Sequence, residues 1–375
     1  MKRIYFDIAA TTPIDTDVAD FMHEISLKAY GNPSSVHKHG QESRAIIERA
    51  RLQVSNALGC NIGEIIFTGS GTESNNIAIQ GILQKGDHFI YSGYEHPAVS
   101  EVAKKVEKNG IHITCVPPNS NGCISTDDIL KELTEQTKLV SVMYVNNEIG
   151  TVNPINEISK KCRERKILFH TDAVQAIGKK AINLKESSID LLSLSSHKFY
   201  GPKGMGALFI RDGIELFPTL LGGGQEKELS PGTENVSGIA GMGLAISNAT
   251  SNIEKNHDLI MNNEKIFFEE LEKLNIPYTL NGGIRLGGIM SITFHEIKSQ
   301  DLVMALDLNG FAISGGSACS SGSVKASEIL LNIGLSSKDA LETVRISIGK
   351  SHTSDEVIAL ASEIKQAIEK ISNVI

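Results

Sequence analysis

An α/β fold with a mostly parallel sheet is predicted by three features of the sequence. Short apolar runs rich in β-branched residues recur through the first two-thirds of the chain, most of them separated by stretches of helical periodicity. Several of these runs end in polar, glycine-containing turns, as strands do where they hand the chain to a helix. The chain has 375 residues, more than one core usually fills, so a second, smaller unit is expected.

Taken in order, Ile4 to Pro13 opens as a short strand and turn, and Asp15 is placed to cap a helix running to about Lys28. Tyr30 to Ser35 is a loop before a long amphipathic helix from about Gly40 to Leu58. Ile65 to Phe67 is a strand, and Thr68-Gly69-Ser70-Gly71-Thr72-Glu73 is a tight turn into a helix. Small residues ahead of a helix N-terminus suit a single phosphate, because free N–H groups and the helix dipole converge there; an ordinary βα turn stays open. His88 to Tyr91 is the next strand, ending at Glu95-His96-Pro97 with Pro97 at the first helical position. Ile111 to Val116 and Leu139 to Val145 follow, the latter ending at Asn146-Asn147, which also reads as turn chemistry. Ile167 to Phe169 leads to Asp172 and Gln175, three apart at a helix start and so able to point the same way; Asp172 as a plain cap is the other reading.

The run Ile189 to Leu194, the polar loop 195–206 and the run Ala207 to Ile210 read as strand, loop, strand. Lys198 sits in that loop among hydroxyls, His197 and glycines, a setting that suits imine formation with a carbonyl, although a surface turn with an incidental lysine fits the stretch equally well. That makes seven strand candidates. His96, Asn147, Asp172, Gln175 and Lys198 all fall where strands end, and Gly71 and Thr72 also follow a strand, which is where ligands bind in such sheets.

Beyond a loop-rich stretch, helices are expected at about Ile239 to Ser247 and Asp258 to Leu274. Shorter strands near Ser291 to Phe294, Phe311 to Ser314 and Val344 to Ile348 then alternate with helices, the last from Asp355 to Ile371. The expected division is a large domain over 15–255 and a smaller α+β domain from 1–14 and 256–375. Within the latter, Cys319 lies among glycine, alanine and serine, the surroundings of an accessible thiol, whereas Cys60, Cys115, Cys123 and Cys162 have blander settings and read as structural. Arg345 inside an apolar strand needs a carboxylate, either the protein's or a ligand's.

Composition narrows the function classes. The net charge of −8 and the absence of a basic run argue against nucleic acid, and no apolar run approaches a membrane span. Lys2 and Arg3 precede no export signal, and the five cysteines include no zinc-type pair, so a reduced, cytoplasmic setting is expected.

The residues resemble, nearly end to end, the cysteine desulfurases of the pyridoxal-phosphate-dependent class V aminotransferase family. The resemblance is carried by Asp7-x-Ala-Ala-Thr-Thr-Pro, Ser70-Gly-Thr-Glu, Glu95-His96, Val145-Asn-Asn-Glu-Ile-Gly, His170-Thr-Asp-Ala-x-Gln175, Ser195-Ser-His-Lys-x-Tyr-Gly-Pro-Lys-Gly204, Pro231-Gly-Thr-Glu-Asn and Ser314-Gly-Gly-Ser-Ala-Cys-Ser320. The cysteine loop is similar to that of the nitrogenase-type and housekeeping branch.

The resemblance implies the fold type I architecture of pyridoxal-phosphate enzymes. It implies that Lys198 holds the cofactor and moves the substrate α-proton, that Asp172 pairs with the ring nitrogen, and that His96 stacks on the ring. Gln175 would donate to the ring oxygen. Gly71, Thr72, Ser195, Ser196 and His197 would hold the phosphate, with Thr233 supplied by the partner of a homodimer. Asn147 and Arg345 would bind the substrate carboxylate. Cys319 would take sulfur from L-cysteine as a persulfide, releasing alanine, and pass it to an acceptor protein: an iron–sulfur scaffold, a tRNA-thiolation enzyme or a thiamine pathway protein. No resident metal is implied, Cys319 being a candidate for transient iron–sulfur ligation only.

Two positions depart from the family pattern. Ile8 stands where a polar residue is common, and Ser230 where many members carry Arg, which removes a positive charge near the expected subunit interface. The chain also ends soon after its last helix, without the extension by which longer members dock a scaffold. Rival readings are a selenocysteine lyase, another class V enzyme, or a degenerate interaction protein; Cys319 argues against an aminotransferase, and the intact Lys198, Asp172 and His96 argue against degeneracy.

Overall fold

The computed structural model describes residues 3–315 and 325–373, so Cys319 lies outside the described residues. In chain order its strands are β1 (Ile4–Tyr5), β2 (Ile65–Thr68), β3 (His88–Ser92), β4 (His112–Val116), β5 (Thr137–Ser141), β6 (Leu168–Asp172), β7 (Leu191–Ser195), β8 (Gly206–Ile210), β9 (Thr279–Asn281), β10 (Ile289–Thr293), β11 (Phe311–Ala312), β12 (Ser314–Gly315) and β13 (Thr343–Ser347). Seven of them, the seven expected, make one sheet in the order β2-β8-β7-β6-β5-β3-β4. All neighbours in it are parallel except β8, which is antiparallel to both β2 and β7. β2 therefore points the same way as the parallel strands and ends on the same edge.

Alternation along the strands covers both faces of this sheet. Ile66, Phe89, Leu139, Leu191 and Leu208 pack under helices Gly71–Gln80 and Pro97–Lys108, through Ile77, Val99 and Val102. Their neighbours Ile65, Ile90, Val140, Leu192 and Phe209 face the opposite layer, formed by helices Lys38–Leu58, Ile155–Arg163 and Val236–Ser251. Residues this buried read as continuous apolar runs, which is why the strands are visible in the sequence.

A second core joins β10 and β13 to helices Ile253–Lys273, Ser299–Leu308 and Ser354–Ser372. The helix at Ile253 starts before residue 256, and Ile329, Leu330 and Ile333 pack into the core of the seven-stranded sheet rather than the second one. The N-terminal segment is a strap between the two. β1 pairs in parallel with β11, and the fully buried Phe6 stacks on His352 with ring centroids 4.4 Å apart. Ser347 N donates to Phe6 O (2.8 Å) and Ala9 N to Ser347 Oγ (2.9 Å), after which the strap leaves for the large sheet.

Two local expectations are corrected. Asp15 starts the helix Thr16–Lys28, but its side chain does not cap it; Lys350 Nζ takes its Oδ2 at 2.6 Å instead. Residues 174–179 form consecutive turns rather than a helix, and Gly178 (φ 73°) turns the chain where an added Cβ would lie 2.6 Å from the Ala249 Cβ.

Phe6→Ala is expected to remove about 3–5 kcal/mol of stability, read as a lower urea midpoint. An unchanged midpoint would mean that the strap is not part of the second core.

Candidate active site

The cleft is built where β2, β3, β5, β6 and β7 end. Gly206 opens β8 opposite both Thr68 and Ser195, so the ends of β2 and β7 flank it. Gly71 begins the next helix against Ser195 and Val174: an added Cβ would come within 3.3 Å of the Ser195 Cβ and 2.9 Å of Val174 Cγ2. Ser70 caps this helix, its Oγ accepting from Glu73 N (3.1 Å), which leaves the amides of Gly71 and Thr72 without a helical acceptor. Thr72 is exposed and Ser195 buried. His197 Nδ1 lies 3.0 Å from Thr11 Oγ1, and its O accepts from Thr12 N (2.8 Å). Burial first, then Lys198 and Lys203, push the His197 imidazole down to about 4, so it is neutral near pH 7 and can both accept and donate.

Lys198 follows β7 in a single 3₁₀ turn, Ser196–Lys198. Its Nζ donates to Ala9 O (2.7 Å) and Ala10 O (2.8 Å), both on the strap. Gln175 Nε2 donates to the same Ala9 O (2.7 Å), and Gln175 Oε1 accepts from Lys179 Nζ (3.0 Å). Asp172 ends β6; its Oδ1 accepts from Val174 N (3.0 Å) and its Oδ2 from Asn75 Nδ2 (2.8 Å). His96 caps its helix through Nδ1, which accepts from Ala98 N (3.0 Å), so the neutral ring carries its proton on Nε2. Burial lowers the pKa of His96, Asp172 opposes that and Lys198 adds to it.

Arg345 meets a carboxylate of the protein. Its Nη2 donates to Asp7 Oδ1 (2.7 Å) and its Nη1 to Asn147 O (3.0 Å), while Nε is buried without a hydrogen bond. Glu148 sits beside it with Oε2 accepting from Ser327 Oγ (2.5 Å); burial pushes its carboxyl up to about 7 against the opposing pull of Ser327 and Arg345.

Lys198, Asp172, Gln175, His96, His197, Gly71, Asn147 and Arg345 are thus brought to one edge. Thr233, expected to serve a partner subunit, is exposed in the loop after Ser230. Ser196 is buried with its Oγ against Gly201, where an added Cβ would lie 2.0 Å away. Ser230 Oγ donates to Glu73 Oε1 (2.7 Å), and Ile8 is buried. Sequence reasoning missed Asn75, a buried amide one turn after Gly71 on the same helical face, and Glu95, whose Oε1 accepts from Met143 N (2.6 Å) and from Ser92 Oγ.

Seven buried side-chain polar atoms among the described residues lack a hydrogen bond, and four of them surround this cleft: Asn75 Oδ1, Glu95 Oε2, Asn147 Oδ1 and Arg345 Nε. Buried orphan atoms in one place mark a site made for a polar ligand. A lysine, a carboxylate, a flat neutral imidazole and a helix N-terminus on one strand edge fit a phosphorylated heteroaromatic carbonyl compound.

The sequence model of the family described as aminotransferase class-V matches residues 4–360. The cysteine desulfurase IscS of Dictyoglomus turgidum is 42% identical over 381 aligned residues, covering 100% of this chain and 97% of its own. A solved structure of a NifS-like protein superposes with a TM-score of 0.92 at 32% identity, covering 98% of this chain and 99% of that one. Another, described as SspA in complex with cysteine, gives 0.81 at 34%, covering 93% and 99%.

Burial pushes Glu95 from its usual 4.5 up to about 8, with Asp172 adding to the effect and Ser92 and Met143 N opposing it. A folded-state pKa above the unfolded one gives stability that is full below about 4.5 and lost as pH rises towards 8. Glu95→Gln, which imitates the neutral acid, is expected to match the wild type at the low end of that window and to outlast it increasingly towards the high end, in urea denaturation at both. A difference that does not change with pH would contradict this.

Proposed function

This chain belongs to the class-V aminotransferase family and is a cysteine desulfurase, and we propose that it uses pyridoxal phosphate in the cleft of Lys198 to move sulfur from L-cysteine to Cys319. The observation that carries the reading is the grip of Ala9 O and Ala10 O on Lys198 Nζ beside Asp172 and His96. The cleft fits the cofactor through its orphan polar atoms and its donor set. Gly71, Thr72, Ser195 and His197 hold the phosphate; Ser196 is left out of this set, its hydroxyl being turned to Gly201 and its N–H donating to Met205 O (3.0 Å). Asp172, oriented by Asn75, takes the ring nitrogen, Gln175 the ring oxygen and His96 a ring face. When bound, the cofactor supplies an electron sink for charge left at the substrate α-carbon.

The chain's own residues do the rest. Arg345 Nε, buried and unpartnered, and the Asn147 amide bind the substrate carboxylate. Lys198 Nζ moves the α-proton, and His96 holds or yields a proton at Nε2, the nitrogen left outside its cap. The Cys319 thiolate attacks the substrate sulfur. The C–S bond breaks, its electron pair stays on the carbon that becomes alanine's methyl group and takes a proton, and the new S–S bond remains on Cys319. No outside oxidant or reductant is needed. The sulfur then passes to an acceptor protein for iron–sulfur cluster assembly or tRNA thiolation, in the reducing cytoplasm. The working unit is a homodimer: Phe217, Leu220 and Leu221 are exposed in the loop leading to the equally exposed Thr233, an apolar surface for a second copy to cover.

Mass spectrometry after brief exposure to L-cysteine is expected to find one added sulfur on Cys319 and alanine in the supernatant. Cys319→Ser should keep the cofactor and lose sulfide release. Wild-type turnover in that variant would remove Cys319 from the reaction, and absence of both sulfur and alanine in the parent protein would overturn the desulfurase reading.

A further inference from the structure

Among the described residues Lys179 is a half-buried cation placed close to two others. Burial, then the neighbouring charges of Lys198 and Arg345, push its ammonium down to about 7. It lines a gap between the two cores with Ile8, Tyr200, Ile348 and Gly349, and no carboxylate among the described residues pairs with it. A methionine or leucine would fill such a position at lower cost. Its hydrogen bond goes to Gln175 Oε1, at 3.0 Å. The other end of that amide donates to Ala9 O, which also receives Lys198 Nζ.

The polarity of these partners decides how the amide lies. A carbonyl can only accept, and Lys179 as its ammonium can only donate, so in that form Gln175 has one favourable orientation, with Oε1 towards Lys179 and Nε2 towards Ala9. One Nε2–H is then left over. We infer that Lys179 is a positioning residue for the desulfurase reaction: it locks the Gln175 amide so that the cleft is offered an N–H donor and never the amide oxygen. This rests on the pyridoxal-phosphate reading above, in which the group facing Gln175 is an acceptor, the ring oxygen. The turn at Gly178 is what brings Lys179 back to Gln175: Lys179 N and Lys180 N both donate to Ala176 O, at 3.0 and 2.9 Å.

The test is a double-mutant cycle read by absorption of the bound cofactor across pH. Lys179→Met keeps the volume and removes the donor; Lys179→Leu serves if it does not fold. Without Lys179 only Ala9 O still orients the amide, so donation to the ring oxygen weakens and the midpoint of the cofactor's band is expected to rise by about one pH unit, a tenfold change in proton affinity. In a Gln175→Ala background the same substitution should move the midpoint far less. Lys179→Arg, which keeps a donor, should hold the wild-type midpoint. No shift in Lys179→Met would overturn the inference. An equal shift with and without Gln175 would overturn it too, since the lysine would then act by charge alone. A wild-type protein with no cofactor band at all would instead refute the cofactor reading beneath it.

Discussion

The site depends on two backbone carbonyls. Ala9 O and Ala10 O hold the Lys198 ammonium, although 189 and 188 residues separate the partners in sequence. Those carbonyls are where they are because the strap is fixed at its other end in the second core, by β1 on β11, by Phe6 under His352 and by Ser347. The same strap receives Gln175 at Ala9, while Thr11 and Thr12 meet His197, and Asp7 meets Arg345. One short N-terminal segment therefore sets Lys198, Gln175, His197 and Arg345 relative to one another. Loosening it would misplace several reacting groups at once, which is how small shifts cost large factors in rate.

Burial acts on the titrating groups of the cleft in two directions with one result. It lowers the histidines: His197 falls to about 4, and His170, bridged between Ser141 Oγ and Ser193 Oγ beneath the site, to about 3. It raises Glu95 to about 8. Near pH 7 these groups are neutral, so they shape hydrogen bonding without adding charge. The field in the cleft is then left to few groups, with Asp172 and Lys198 acting in opposition on His96. An anionic ligand entering near Lys198, Arg345 and Lys179 would also relieve the repulsion among these cations.

Much of this is legible in the sequence, for physical reasons. Strands buried on both faces are continuous apolar runs, so the sheet can be read strand by strand, and the rule that ligands meet strand ends gathers His96, Asn147, Asp172 and Lys198 at one edge. The extent of strands is less legible: β5 ends at Ser141, and after it Val142 N and Tyr144 N still donate to His170 O and Asp172 O while Val145 turns to form a single bridge with Val152. Asp15 has the residue type and position of a cap, but Lys350 from 335 residues away competes successfully for its carboxylate. The carbonyls of Ala9 and Ala10 cannot be seen at all, since a backbone acceptor leaves no residue signature. Asn75 does leave one, a polar residue on a buried helix face shared with Gly71, Ser74, Ile77, Ala78 and Ile79.

The central claim is that the strap makes Lys198, and no other amine, the residue that binds the cofactor. Borohydride reduction of the protein loaded with pyridoxal phosphate, followed by peptide mapping, tests it directly, because another lysine, the half-buried Lys179 with its depressed pKa, sits two hydrogen bonds from Ala9. A pyridoxyl group on Lys198 alone is the expected result. Label on Lys179, or spread over both, would contradict it.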